Sequence, residues 1–495
     1  MKIKKDRESL LSEYEKGLNY NRLTEYAEKC KIHKKFYLGD QWYGVNAPDL
    51  DKPVLNFIRR AVSYLTAMTA GEGVTAFLTP YVQSAENVRL RDILNTELER
   101  VIERSKLSVH TRRAVMNAAI NGDGILYFLY DGKGVICEEI DGTNIFYANP
   151  FEKDIQRQPY IIVAQRTYTE EIREKAAKSG ARADIIMPDG ADGNISANPM
   201  SQLLTKFYKE DGKVYYIQYT KECIVTPPTD TGYTVYPFAK FCWDELTADC
   251  HGTGAVEHLI PNQIAVNKLW AMALLHEKTA AFPKIFYDRT KIDRWTNKVG
   301  TAIGVVGNPN DAVATSFRRQ DMSSQVIELV EKTIRLTKEF MGASDVSLGD
   351  ISPDNTSAIL AVQKSRAIPL ENQKQAFIRF AESCVIIILE IMKSKYGKRR
   401  VQVCSADGKY NTAVFDFGAA DVSQMNFVIE TDNSTPWAES IQMKTLENLF
   451  EKGIFTDAYD FVSAIPQSRL KNKQRILAKL KTSMPNDRAE LSGEK

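Results

Sequence analysis

The sequence predicts a mixed α+β protein, on three observations. Its first 120 residues read as charged helices, and residues 125–241 read as short strands joined by turns. A run from Phe238 to Phe340 then reads as helix, compact β-rich insert, helix. At 495 residues, 43% hydrophobic and 26% charged, the chain can bury a large core and hold more than one module. A formal net charge of +2 demands no strongly basic face. The most apolar stretch, Cys384–Leu389, is cut by Glu390 and falls short of the ~18 residues of a membrane span. No hydrophobic segment follows the basic Met1–Glu8, so no secretory signal is expected. Seven scattered cysteines without a C-x-x-C pair fit free thiols in a reducing cytoplasm.

In order, apolar residues at helical spacing (Leu10, Tyr14, Leu18, Tyr26) predict one helix over 6–38, stopped at Gly39. Further helices are expected at 54–70, ended by Gly71 and Gly73, at 84–104, and at 108–121, stopped by Gly122-Asp123-Gly124. Residues 125–130 and 134–139 flank Asp131-Gly132 as a hairpin. Strands at 144–148 and 159–167 are read as continuing that sheet, with a short helix at 170–177 and a Gly/Ala/Asp-rich loop over 179–201. Strands return at 203–208, 213–220, 222–225 and 233–241.

Past the turn His251-Gly252-Thr253-Gly254, a helix runs to Ala280 with apolar residues on most faces, the pattern of burial in a large core or against neighbouring subunits. Short strands are expected at 282–288, 302–306 and 312–316, and a helix from Ser323 to Met341. A polar loop over 342–357 precedes a helix over 358–395, about 57 Å long, that Pro369 should kink or break. Strands at 400–404 and 425–430 and a helical stretch at 438–482 close the chain.

Linear motifs for chemistry fail. None of the Gly-Lys pairs at 132, 212, 397 and 408 is followed by Ser or Thr, which argues against a phosphate-cradling loop. Gly252-Thr253-Gly254 lacks the third glycine of a dinucleotide fingerprint and reads as a turn leading into a helix. Cys250, His251 and His258 are the nearest approach to a metal cluster, and His276-Glu277 has Ala280 where a second histidine would stand, so structural roles are expected for them. No catalytic residue, metal site or cofactor is expected.

Two regions carry candidate contacts with other molecules. Basic residues gather in the insert (Lys284, Arg289, Lys291, Arg294, Lys298, Arg318, Arg319, with Tyr287 and Trp295 between them) and near the C-terminus (Arg469, Lys471, Lys473, Arg475, Lys479, Lys481). Either could meet phosphates or be a solvated face or protein–protein rim. The loop at 342–357 carries Ser344, Asp345, Ser347, Asp350, Asp354 and Asn355 without calcium-loop spacing. Asn355 or Thr356 could simply cap the following helix, or the loop could touch a passing polymer.

Three clusters carry a resemblance. The first is Phe36-Tyr37-Leu38-Gly39-Asp40-Gln41-Trp42 followed by Pro53-Val54-Leu55-Asn56-Phe57-Ile58. The second is Pro237-Phe238, Gly252-Thr253-Gly254, Ile260-Pro261-Asn262-Gln263 and Asn267. The third is Met341-Gly342-Ala343-Ser344-Asp345, Gly349 and Asn355-Thr356-Ser357-Ala358-Ile359. In order and spacing they resemble the portal proteins of tailed phages. The resemblance implies an α/β wing (1–254 and 358–432), a two-helix stem (255–281 and 323–341) and a β-rich clip (282–322). It further implies a tunnel loop (342–357), a long kinked helix and a helical crown with C-terminal tail (433–495). It also implies a non-enzymatic ring, usually of twelve subunits, at one capsid vertex, made in the host cytoplasm. Double-stranded DNA would pass its channel during packaging and ejection. The expected partners are the terminase, head–tail connector proteins, major capsid protein and scaffold, with no membrane.

On that resemblance Ser344, Asp345, Ser347, Asp350, Asp354 and Asn355 line the channel, and Lys291, Arg294, Trp295, Lys298, Arg318 and Arg319 dock partners. Lys471, Lys473, Arg475 and Lys479 form a basic face of the crown. Three Asp and no cation in the tunnel loop suit a repulsive lining better than a phosphate grip. A cytosolic α+β enzyme without a linear motif, and another virion connector or minor capsid protein, stay open as alternatives.

Overall fold

The computed structural model describes residues 5–71, 74–82, 84–189, 199–281, 285–292, 294–296, 302–308, 314–316, 325–340, 368–404, 410–420, 425–431 and 446–450, with isolated positions elsewhere. The chain is a mixed α+β protein. It divides into two units: Met1–Lys31, Val62–Ala255 and Pro353–Lys495 form the first, Ile32–Ala61 and Val256–Ser352 the second.

The single helix expected over 6–38 is two, α1 (Arg7–Leu23) and α2 (Tyr26–Leu38). The chain turns at Glu25, whose φ of 54° no helix accommodates. Asp6 caps α1 by accepting from the Ser9 amide at 3.1 Å. Gly39, at φ 98°, ends α2 as its sequence suggests. α3 (Phe57–Ala70) starts three residues later than Val54, because Asn56 caps it by accepting from the Arg59 amide. α4 (Ala85–Arg104) is capped by Ser84, and α5 (Leu107–Asn121) stops at Gly122, φ 105°.

The first unit holds separate sheets. In the three-stranded one, β2 (Asp123–Tyr130) lies between β3 (Val135–Ile140) and β9 (Phe238–Cys242). The strands expected to extend it instead form a second, five-stranded antiparallel meander. Its order is β4 (Ile145–Tyr147), β5 (Tyr160–Tyr168), β6 (Met200–Glu210), β7 (Lys213–Tyr219) and β8 (Ile224–Asp230). Alternation splits the meander's side chains between two faces. Tyr160, Ile162, Ala164, Leu204, Tyr208, Ile217 and Tyr219 pack with Leu10 and Tyr14 of α1. Leu203 and Val225 pack with Ile172 and Ala176 of α6 (Thr169–Lys178). Both faces being covered explains why Tyr160–Ala164 is buried without interruption.

A strand not anticipated, β1 (Val74–Pro80), pairs along its whole length with β16 (Met425–Thr431), more than three hundred residues later. β14 (Lys398–Cys404) and β15 (Tyr410–Asp416) form a hairpin, its second strand also unanticipated. Two-residue strands β10 (Asp244–Glu245) and β11 (Gly252–Thr253) pair just ahead of the next helix.

α7 (Ala255–Ala281) spans about 40 Å. In the second unit it is followed by a ribbon of β12 (Ile285–Tyr287) and β13 (Ala314–Ser316), then by α8 (Gln325–Phe340). The strand expected at 302–306 is irregular chain. Back in the first unit, a 3-10 turn at Ile368–Leu370 containing Pro369 leads into α9 (Glu371–Lys395), whose Phe377 and Phe380 meet Phe241 of β9. The helix expected over 358–367 lies outside the described residues, as does most of the stretch expected to be helical at 438–482.

Candidate functional site

Two of the sequence clusters singled out above are joined by side chains in the second unit. Gln41, at the turn after α2, donates to the Phe36 carbonyl at 2.9 Å. Asn267, on α7, donates to the Gln41 amide oxygen at 2.6 Å. Gln263, one helical turn earlier, donates both to Asn267 Oδ1 at 3.0 Å and to the Leu55 carbonyl at 2.8 Å. Asn56 donates to the Tyr37 carbonyl, and Trp42 to the Pro53 carbonyl. Gln41, Gln263 and Asn267 are buried, so each amide bond replaces one that water would otherwise make. The chain of amides fixes one register of α7 against the 36–56 segment, since a one-residue slip would leave buried polar groups unpaired.

Further along the same unit, Asn262 near the start of α7 donates to Thr337 near the end of α8 at 3.0 Å. The ribbon joins the opposite ends of these helices, so they run antiparallel with β12–β13 at the tip. Next to the ribbon, Asp288 accepts from the Thr290 amide and hydroxyl, closing a turn over buried Ile292. Of the residues expected to dock partners, Lys291, Arg294 and Trp295 lie here. Arg294 is exposed. Trp295, expected to be exposed, is half-buried, with its ring against Tyr287 (centroids 5.8 Å apart, planes at 30°). Lys298, Arg318 and Arg319 lie outside the described residues. So do all the expected channel residues (Ser344, Asp345, Ser347, Asp350, Asp354, Asn355) and the crown residues Lys471, Lys473, Arg475 and Lys479.

A second polar centre, in the first unit, was invisible in the sequence. Asp123, with no exposed side-chain surface, accepts from His251 Nδ1 at 2.6 Å, Tyr26 hydroxyl at 3.2 Å, Cys242 thiol at 3.1 Å and the Gly252 amide at 3.0 Å. Lys240 Nζ lies 3.6 Å away and donates to the Cys250 carbonyl. Tyr26 stacks on His251 with centroids 3.8 Å apart. Burial alone would push the Asp123 carboxyl up. The Lys240 charge and the His251 and Cys242 hydrogen bonds outweigh it and hold the group well below the carboxylate range. Burial likewise opposes the Lys240 ammonium, and Asp123 reverses that. Burial pushes the Cys250 thiol up to about 12 and the Cys242 thiol higher still, so neither supplies a thiolate at neutral pH. The centre ties α2, β2, β9 and the turn before α7 together. A cleft of about 480 Å³ lies beside it, lined by Lys240, Cys242 and His251 among others.

Among the described residues no group of His, Cys, Asp and Glu could hold a metal ion, and no helix is long and apolar enough to cross a membrane. His258, paired in the sequence reading with Cys250 and His251, is exposed on α7. No protein-family model matches the sequence, and no curated protein matches it.

Proposed function

We propose that the chain is a portal-type subunit. Copies assemble into a closed ring at one capsid vertex, and double-stranded DNA passes through the central channel during packaging and ejection. The terminase and then head–tail connector proteins dock at the β12–β13 end, and the capsid protein and scaffold meet the outer surface. The observation that supports this best is the amide chain from Gln41 through Asn267 and Gln263 to Leu55. It joins two of the three sequence clusters that carry the portal resemblance, although they lie over two hundred residues apart. The antiparallel helix pair with a β ribbon at its tip is the shape that a stem and clip would need. Ile327, Leu329 and Leu336 of α8 and Met272 of α7 are exposed in the single chain, which suits helices that pack against another copy around a cyclic axis.

An enzymatic reading has less behind it. The ionisable groups of the Asp123 centre are satisfied by one another, and its carboxylate has no surface a substrate could touch. Light scattering and negative-stain microscopy test the proposal. The expected result is a ring with a central hole at about 670 kDa, twelve times the 55.9 kDa chain. A monomer at every concentration, with or without co-expressed scaffold, would overturn it.

A further inference from the structure

The first unit carries a basic concavity that neither the sequence reading nor the ring proposal uses. It measures about 740 Å³ and is lined by Arg100 and Arg104 of α4, Lys133 of the β2–β3 turn, and Arg399 and Arg400 of β14, with Glu97, Glu103, Val101 and Tyr396. Five cations thus face two carboxylates in a chain whose whole net charge is +2.

The arrangement is built. Arg399 lies over the Tyr396 ring at 3.7 Å and donates to the Tyr130 hydroxyl at 2.6 Å. Arg399 and Arg104 both donate to one acceptor, the Lys133 carbonyl, at 3.4 and 3.2 Å. Two guanidinium ions are therefore held no further apart than those two distances together, on a neutral oxygen. Arg104 can lie there because position 134 is glycine: a Cβ would stand 3.0 Å from its Nη1. Asp131 reaches Arg104 at 3.7 Å and Glu97 reaches Arg100 at 3.0 Å, which leaves Lys133, Arg399 and Arg400 against one remaining lining carboxylate, Glu103.

We infer that this concavity binds the phosphate backbone of duplex nucleic acid, independently of sequence. Guanidinium forks match phosphate oxygens, and clustered cations match a polymer carrying one charge per ~1.7 Å. Among the described residues no amide side chain lines the concavity to pair with an adenine edge. Single strands are gripped by stacking bases on open aromatic faces. Here Tyr396, the one lining aromatic among the described residues, is buried under Arg399, so the geometry favours a duplex. The inference uses side chains of the first unit alone and stands or falls separately from ring assembly, which light scattering reads.

The test is fluorescence anisotropy of the full chain with a labelled 30-base-pair duplex at several salt concentrations. The variant is Lys133→Glu/Arg400→Glu, both exposed positions. The control carries the same charge change at exposed Lys16 and Lys178. Expected is at least a tenfold loss of affinity for the variant, a salt slope shallower by about 2, and near-parental binding by the control. The neutral pair Lys133→Gln/Arg400→Gln should lose less and guards against misfolding in the first variant. Equal binding by variant and parent would overturn the inference, as would equal losses in variant and control. So would binding of polyglutamate or tripolyphosphate without binding of the duplex.

Discussion

Replacing Asp123 by Asn keeps the side chain's size and removes its charge, so it isolates the electrostatic role of the buried centre. In the native chain Lys240, with 7% of its side chain exposed, has Asp123 as its counter-charge at 3.6 Å. The substitution leaves an ammonium ion buried without a partner, which typically costs ~3–5 kcal/mol. An amide oxygen can still accept from His251 or Gly252, so the hydrogen-bond loss adds at most ~1–3 kcal/mol. We expect a total loss of ~3–8 kcal/mol, read from urea unfolding followed by circular dichroism. Adding Lys240→Met should restore more than half of it, because the second change removes the uncompensated charge. The pH dependence has a defined sign. A carboxyl held below its ordinary value of 3.8 contributes stability that is complete above that value and is lost as pH falls through the folded-state value. The Lys240 ammonium, raised above 10.5, contributes fully below 10.5 and loses its contribution as pH rises through its folded-state value. The parent's advantage over Asp123→Asn should therefore begin to shrink below about pH 4 and go on shrinking as pH falls toward the folded-state value. A loss under ~1 kcal/mol near pH 7, or a double variant as weak as the two single losses added, would refute the reasoning.

A second buried pair in the same unit should behave in the same way. Lys206 of β6, with no exposed side-chain surface, pairs with Glu13 of α1 beneath the Tyr160 ring. Lys206→Ala should cost ~3–5 kcal/mol, while Glu13→Leu/Lys206→Met should lie within ~1 kcal/mol of the parent, as urea midpoints will show. Close packing at the start of β2 gives another contrast. A Cβ on Gly124 would stand 1.9 Å from the Ala114 carbonyl oxygen, whereas Gly132, at φ 85°, has open space around it. Gly124→Ala should therefore reduce soluble yield sharply, and Gly132→Ala should fold with only the ~1–2 kcal/mol strain of a left-handed residue.

Much of the element order was legible because it is local. Periodicity placed α4, α5, α7 and α8 within a few residues, and Gly39 and Gly122 stopped their helices where the left-handed backbone needs them. What escaped depends on partners far along the chain. β1 is a seven-residue run whose strand partner, β16, follows more than three hundred residues later. The strand expected at 222–225 instead runs over Ile224–Asp230, because an edge strand tolerates Pro227 and Pro228 where no ladder bond is needed. The Asp123 centre escaped for the same reason. Gly122-Asp123-Gly124 reads as a helix stop and His251 as part of a turn, and nothing local relates positions 123, 240 and 251. The one available signal was two glycine-flanked turns. Gly122 and Gly252 approach so closely that a Cβ at 122 would meet the Gly252 carbonyl at 1.9 Å, and that carries the Gly252 amide onto Asp123.

α7 shows most clearly why composition and burial differ. Its sequence is apolar on most faces, which predicts burial all round. In the single chain its buried stripe instead includes the polar Gln263 and Asn267 beside Val266 and Ala271, while Ile264, Leu269, Trp270, Leu274 and Leu275 are only half-covered and Met272 is 64% exposed. The buried stripe thus mixes two amides with Val256, Leu259, Val266, Ala271 and Ala273, while large apolar side chains on the other faces stay only partly covered. The amides contribute register rather than driving force, since each buried bond replaces one to water. The driving force resides in the outward apolar residues, which gain ~25 cal/mol per Å² only when something covers them. α8 adds Ile327, Leu329 and Leu336 to the uncovered set. A second copy of the chain would bring apolar faces of matching length, and a cyclic arrangement would cover every copy alike. The mass measured in solution therefore tests the ring proposal and the meaning of these uncovered apolar side chains together.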